Sequence, residues 1–381
     1  MENIYLDHAA STPIFPESLE SMLPYFHSDY GNASSLHYAG RKAKHALDDA
    51  REQAAALLGC SPQQLLFTSG GTESDNVAIL GTALHANNKK RHIISCKTEH
   101  KAVLETLQHL EDEGFSVTYL PVDHDGRISL ESLKASITED TFLITLMAGN
   151  NETGTLHPFE QVGQFAKERG ILFHIDAVQA LGVIPFHLKS IPADLVSFSS
   201  HKINGPKGVG LLYAADNSKL TPLLYGGNQE AKKRPGTENI PAIAGFVQSL
   251  EMTINRLDEK NKMCTDMRNT MLEIFYQQCG ENNVVLNGHP TFVLPHILNV
   301  SFLSCDTETL LMNLDLAGIA ASGGSACTSG SLEVSHVLQA MNLPTNVMHS
   351  AVRFSFGYGL NIEQISKAAK KTATIVQRIR K

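Results

Sequence analysis

The 381-residue chain has no apolar run near the ~18–20 residues that a membrane helix needs, so no membrane partner is expected. It has no basic excess either. Lys and Arg number 31 against 39 Asp and Glu, for a net charge of −8, and this excludes a broad phosphate-neutralising surface. Three short basic runs, Lys89-Lys90-Arg91, Lys232-Lys233-Arg234 and Arg378-Ile379-Arg380-Lys381, fit solvated surface, and no direct nucleic-acid partner is expected. Cysteine is scarce, at positions 60, 96, 264, 279, 305 and 327, with no C-x-x-C pair. That spacing excludes a zinc ribbon and a disulfide scaffold, and no metal site is expected. No Gly-Lys dipeptide occurs anywhere, so a Walker-type nucleotide loop is excluded. The opening Met1-Glu2-Asn3-Ile4-Tyr5-Leu6-Asp7 carries acids where a signal peptide carries Lys or Arg; a cytoplasmic protein is expected.

What is present is an ordinary globular composition, 42% hydrophobic and 18% charged, long enough for two domains. From about residue 65 to 214, short β-type runs alternate with helical stretches. The strands are read at Leu65–Thr68, His92–Ser95, Val117–Leu120, Phe142–Leu146, Leu172–Ile175, Leu195–Phe198 and Val209–Tyr213. Val77, Leu80, Gly81 and Leu84 fall at helical spacing between the first two. This rhythm predicts an α/β layer with a mostly parallel sheet of seven strands. After about residue 240 it gives way to one long helix, roughly Pro241 to Gln278, and then strands with turns around Val284–Ser304. A smaller second domain is predicted there.

Four motifs bear on chemistry. In Phe67-Thr68-Ser69-Gly70-Gly71-Thr72-Glu73-Ser74-Asp75 a strand ends, two glycines turn the chain, and Thr72 with Asp75 has the S/T-x-x-D pattern of a helix start. The free N–H groups there suit a phosphate, although a plain capped helix explains the motif as well. Asp176 ends a predicted strand, where ligands bind in open α/β sheets, or else caps a turn. Lys202, 26 residues on, follows a strand and precedes Asn204-Gly205-Pro206. A lysine so placed can form a Schiff base, with an acid holding a ring nitrogen protonated. Phosphate seat, acid and lysine in this order fit pyridoxal phosphate. Cys327 lies in Ser322-Gly323-Gly324-Ser325-Ala326-Cys327-Thr328-Ser329-Gly330-Ser331, a polar setting that favours an accessible thiol over a buried one. His100 and Arg353 are single residues that a structural role would also explain.

Six ordered landmarks carry a family resemblance. They are Thr68-Ser69-Gly70-Gly71-Thr72-Glu73, Asn150-Asn151-Glu152-Thr153-Gly154, Asp176-Ala177-Val178-Gln179, His201-Lys202, Arg234-Pro235-Gly236-Thr237-Glu238-Asn239 and Gly324-Ser325-Ala326-Cys327-Thr328. Over nearly its whole length the chain resembles the NifS/IscS-like cysteine desulfurases, within the class-V aminotransferase family of fold-type I pyridoxal-phosphate enzymes. The resemblance implies a large cofactor-binding domain over 16–255, and a small α+β domain from 1–15 with 256–381 that carries the Cys327 loop at about 321–333.

It also implies the site. Lys202 is the Schiff-base lysine, Asp176 pairs with the ring nitrogen, and Gln179 and Asn151 approach the phenolic oxygen. Gly71, Thr72, Ser199 and His201 hold the phosphate, with Thr237 reaching in from the partner of a homodimer. His100 stacks on the ring and moves protons, Arg353 with Asn32 binds the carboxylate of L-cysteine, and Cys327 takes the sulfur as a persulfide. An acceptor protein, either a tRNA-thiolating enzyme or an iron–sulfur scaffold, then collects it.

Two departures stand out. Ala33 replaces a frequent Pro, and the chain ends 28 residues after Arg353, shorter than scaffold-docking IscS-type enzymes, which tilts the expectation toward tRNA thiolation. Rival readings are an aminotransferase or selenocysteine lyase on the same fold, and a non-catalytic RNA-binding scaffold. A loop thiol at 327 argues against the first, and a complete catalytic set against the last.

Overall fold

The computed structural model describes residues 3–323 and 334–380. A short strand, β1 (Ile4–Tyr5), opens it. Seven strands follow in one sheet: β2 (Leu65–Thr68), β3 (His92–Cys96), β4 (Ser116–Leu120), β5 (Thr141–Met147), β6 (Leu172–Asp176), β7 (Leu195–Ser199) and β8 (Gly210–Ala214). Their order is β2-β8-β7-β6-β5-β3-β4, and β8 alone among the seven runs in the direction opposite to the other six. β2, β3, β5, β7 and β8 are buried along their whole lengths, as a parallel sheet covered on both faces requires. Continuous apolar runs such as Phe142-Leu143-Ile144 are the sequence counterpart of that double cover.

The remaining strands are β9 (Val284–Asn287), β10 (Ile297–Phe302), β11 (Ile319–Ala320) and β12 (Ala351–Ser355). β12, β10 and β9 form an antiparallel sheet, and β11 pairs with β1 in parallel. Phe275, Phe302, Phe354, Ile365 and Val376 pack with Ile4 and Leu6 in one apolar cluster. Phe173, Phe198, Leu211, Phe246 and Leu250 belong to another, around the large sheet.

Two sequence expectations are corrected. The long helix is two helices, Ile240–Asn255 and Leu257–Cys279, with Arg256 between them at φ −112°, ψ 15°. The first buries Ile243, Phe246 and Leu250 against the large-sheet core, and the second buries Met267, Met271 and Phe275 against the other core. Each stripe keeps helical spacing, so periodicity runs through the break while the packing partner changes. The helix after β2 spans Gly71–Ala83 with Gly70 as its N-cap, so Thr72 lies inside the first turn and does not cap it. Glu73 does the work from within, accepting from the Ser69 N–H at 2.7 Å. Gly71 is required there: a Cβ would meet Val178 Cγ2 at 2.7 Å, so only glycine lets the helix approach the turn after β6.

Candidate active site

In an open α/β sheet, ligands sit outside the carboxyl ends of the strands. There the chain encloses a cavity of about 540 Å³. Gly71, Thr72, His100, Asn151, Asp176, Gln179, Ser199, His201, Lys202 and Arg353 all line it. Ten positions picked from the sequence thus converge from six separate stretches of chain. Asn32 and Thr237 are not on the wall. Asn32 sits in an exposed turn, accepting from the Ser34 N–H at 2.9 Å, and Thr237 is exposed. Cys327 lies outside the described residues.

Asp176 ends β6 and is buried; Oδ1 accepts from the Val178 N–H at 2.9 Å. Burial raises its pKa, and His100, the Val178 N–H and Lys202 pull it back only in part. A carboxyl left in that condition suits a cationic partner from the cavity. Lys202 follows β7 on a single 3₁₀ turn, Ser200–Lys202. Its Nζ donates to the carbonyl oxygens of Ala9 and Ala10, the latter at 3.0 Å. Part of the residue remains accessible, but desolvation of the amine lowers its pKa to about 8, with Arg353 pushing the same way and Asp7 and Asp176 opposing. Near neutral pH an appreciable fraction is the free amine, the nucleophilic form.

His100 caps the helix Lys101–Asp112, its Nδ1 accepting from the Ala102 N–H at 3.1 Å. The ring is exposed at the mouth of the cavity yet crowded enough that desolvation lowers its pKa, against the pull of Asp176. Arg353 on β12 is 2% exposed; Nη1 donates to the Asn151 carbonyl and Nη2 to Asp7 Oδ1, each at 2.8 Å. Gln179 Nε2 donates to the Ala9 carbonyl at 2.8 Å.

The cavity accommodates a phosphorylated ring. Its lining includes the first N–H groups of the helix Gly71–Ala83, which have no intrahelical acceptor, and a buried His201 Nδ1 without a protein partner among the described residues. It also includes the desolvated Lys202 amine and the buried Asp176 carboxyl. Pyridoxal phosphate fits this donor set.

Sequence reasoning missed several wall residues. Ala9 and Ala10 act through backbone carbonyls, which carry no side-chain signal. Asp75 lines the cavity inside the helix Gly71–Ala83, 3.6 Å from His174 Nε2, and burial followed by the charge of Asp176 raises its pKa well above the usual range. His336 lines the cavity and meets the Glu99 carbonyl through Nε2 at 3.0 Å, and nothing in its local sequence marks it.

Nearby, Cys96, Glu99 and His157 are buried, with ligand-type atoms within 4.8 Å of one another. His157 Nδ1 accepts from the Ile128 N–H at 3.4 Å, which leaves the proton on Nε2. Among the described residues neither that nitrogen nor Glu99 Oε2 has a hydrogen-bond partner.

The aminotransferase class-V family matches residues 4–367, and the chain belongs to that family. It is accordingly a pyridoxal-phosphate enzyme. A Bacillus subtilis (strain 168) relative that carries the name IscS 1 is 47% identical over 382 residues, covering 100% of both chains. "Cysteine desulfurase IscS" of Methanosarcina thermophila is 44% identical over 99% of this chain and 93% of its own. A solved structure described as a NifS-like protein superposes with a TM-score of 0.93 at 36% identity, over 99% of this chain and 100% of the other. Within the family the chain falls among the NifS/IscS-like cysteine desulfurases.

Proposed function

We propose that this chain cleaves the Cβ–S bond of L-cysteine, releases L-alanine and holds the sulfur as a persulfide on Cys327 for a protein acceptor. The observation that carries the reading is the convergence on one cavity of a desolvated lysine, a buried carboxyl, an uncharged imidazole and a buried guanidinium. When bound, pyridoxal phosphate supplies a carbonyl carbon for amines and a ring that withdraws electrons from Cα. Gly71, Thr72, Ser199 and His201 would hold its phosphate, Asp176 its ring nitrogen, and Gln179 and Asn151 its phenolic oxygen, with His100 against the ring. Lys202 would be its covalent anchor.

Lys202, displaced by the substrate amine, has the pKa to take the Cα proton. Arg353 orients the substrate carboxylate. The Cys327 thiolate attacks the substrate sulfur: an S–S bond forms, the Cβ–S bond breaks, and its electron pair stays on Cβ, where a proton completes the methyl group of alanine. Sulfur is oxidised and Cβ reduced, so no external redox partner is needed. His100, uncharged and beside the cavity, handles protons near the reacting sulfur.

The described flanks of the Cys327 segment support this placement. Ser322 exchanges backbone hydrogen bonds with Arg353 (2.7 and 3.1 Å), and His336 borders the cavity. Both ends of the segment therefore start at the substrate site.

The proposed unit is a homodimer in a reducing, cytoplasmic setting, with Thr237 and Asn32 serving the partner's cavity. The loops that bear them touch, Gln229 Nε2 to Ser34 Oγ at 3.5 Å, and expose Leu36 and Tyr225 at 91% and 87%. Such side chains favour burial against a second copy. We also read residues 16–255 as one domain and 1–15 with 256–381 as the other: one apolar cluster lies wholly within 1–15 and 256–381, while the large-sheet cluster also takes in Val337, Leu338, Met341 and Ala351.

The acceptor serves tRNA thiolation, iron–sulfur assembly, or both. Incubation with L-cysteine should give alanine and persulfide sulfur in equal amounts without a keto acid. Adding a tRNA-thiolating enzyme or an iron–sulfur scaffold should raise turnover with the true acceptor. A requirement for a keto acid would establish a transaminase instead.

A further inference from the structure

His296 precedes β10 and is buried behind the cavity wall, outside the set of residues so far given a role. Its Nε2 lies 3.3 Å from Gln179 Oε1. The orientation of the Gln179 amide is not free: its nitrogen faces the Ala9 carbonyl at 2.8 Å, and flipping the amide would set two oxygens against each other at that distance. Oε1 therefore faces His296 and is an acceptor, so the His296 proton sits on Nε2. Nδ1 is buried with no partner among the described residues, which is tolerable for a lone pair and costly for an N–H. Both observations select the same tautomer.

The surroundings keep the ring uncharged. Burial drives its pKa well below the usual value, and Lys260, His8, Lys202 and Arg353 push in the same direction. With Oε1 engaged by His296 and one amide N–H by Ala9, the second N–H of Gln179 is left on the cavity side. Among the described residues Ala9 supplies the acceptor for that amide, and Gln179 lines the cavity.

We infer that His296 is a positioning residue for Gln179: its Nε2–H locks the carboxamide in the orientation that presents a donor, never an acceptor, to the cofactor's phenolic oxygen. The inference rests on the placement of Gln179 toward that oxygen under Proposed function. Its chemical content is a sign. A donor at that point stabilises negative charge on the oxygen and so weakens the hold of the adjacent imine nitrogen on its proton. A rotated amide would do the reverse.

The test is the pH at which the visible absorption of the purified holoenzyme titrates. Gln179→Leu, which removes the donor, should raise that midpoint by about one unit, the size of one hydrogen bond to a charged group. His296→Leu should raise it by roughly half as much, since the amide is then free to turn. His296→Gln can still donate to Oε1 and should return the midpoint to within about 0.2 unit of wild type. In Gln179→Leu, adding His296→Leu should change nothing further, because the path runs through the amide.

A midpoint moved by Gln179→Leu but not by His296→Leu overturns the inference and leaves the Gln179 placement standing. A midpoint moved by neither overturns both. If His296→Leu binds too little cofactor to titrate, His296→Gln and His296→Asn decide the matter. Asn is too short to reach Oε1, so a wild-type midpoint in His296→Asn overturns the inference.

Discussion

Arg353 donates to the Asp7 carboxylate at 2.8 Å across 346 residues of chain. The contact closes a clamp, since the Ser355 N–H donates to the Leu6 carbonyl at 2.7 Å and the Ala9 N–H to Ser355 Oγ at 2.8 Å. The N-terminal segment is thereby laid along β12, and its next carbonyls, those of Ala9 and Ala10, receive the Lys202 ammonium. One ion pair therefore sets the orientation of the proposed carboxylate anchor and the position of the acceptors that hold the lysine.

Asp7→Asn should keep the fold and weaken substrate binding. The amide can still accept one hydrogen bond from Arg353, but the charge-assisted component is lost, so KM for L-cysteine should rise roughly tenfold with a smaller change in kcat. The substitution also removes a charge that raises the Lys202 pKa, which should fall below about 8. Steady-state kinetics and the pH dependence of cofactor capture check the two effects separately. An unchanged KM would show that Asp7 is not needed to orient Arg353.

The lysine itself gives a pH signature. Only its free amine attacks an aldehyde, and desolvation places its pKa at about 8, well below that of a solvent-exposed lysine. The rate at which apoenzyme captures pyridoxal phosphate should rise about tenfold per pH unit below 8 and level off above it. A rate still climbing through pH 10 would mean that the amine is solvated. Lys202→Ala should show no covalent capture at any pH.

How much of this could be read in advance depends on where the information lies. Strands of the large sheet stand out because burial on both faces forces continuous apolar runs, as in Thr141–Met147. Lys202, Asp176 and the Gly71 turn announce themselves because their chemistry needs particular residue types at the ends of strands. The break at Arg256 leaves no such mark, since the helical period continues on both sides and only the packing partner changes. Ala9 and Ala10 contribute backbone oxygens, and any residue would supply those. His336 and His296 are ordinary histidines in sequence, and only the fold shows which of the 17 adjoin the cavity.

Arg51 and Glu230 predict a stability effect. Arg51 Nη1 donates to Glu230 Oε2 at 2.9 Å, Nη2 pairs with Oε1, and the Phe67 N–H donates to Oε2 at 2.9 Å. The Glu230 side chain is 2% exposed, and it begins three successive left-handed residues, Glu230, Ala231 and Lys232, at φ 44°, 53° and 66°. The pair holds strained backbone in place at the base of the loop that carries Thr237. Glu230→Gln should cost about 2–3 kcal/mol, because a largely buried guanidinium loses its counter-charge. Ala231→Gly should recover up to ~1 kcal/mol by removing a left-handed Cβ. Urea unfolding midpoints check both.

The proposed sulfur carrier is Cys327, and the other thiols argue for it by their chemistry. Burial raises the pKa of Cys60 and of Cys264 to about 11 and that of Cys96 to about 12, and it raises Cys279 and Cys305 as well. Since the thiolate is the nucleophile, none of these five is suited to attack at neutral pH. In the proposed mechanism cofactor binding and removal of the Cα proton depend on Lys202 and Asp176, and neither step uses the loop thiol. Cys327→Ser should therefore stay yellow, bind L-cysteine with a spectral shift and release almost no alanine, because a serine hydroxyl without an activating base is too weak a nucleophile. Substitution of any of the other five should leave turnover largely intact. Mass spectrometry of wild type after L-cysteine should find one added sulfur, about 32 Da, on the peptide that contains Cys327. Added sulfur on a different cysteine, or alanine released by Cys327→Ser at the wild-type rate, would show that the sulfur travels by another route.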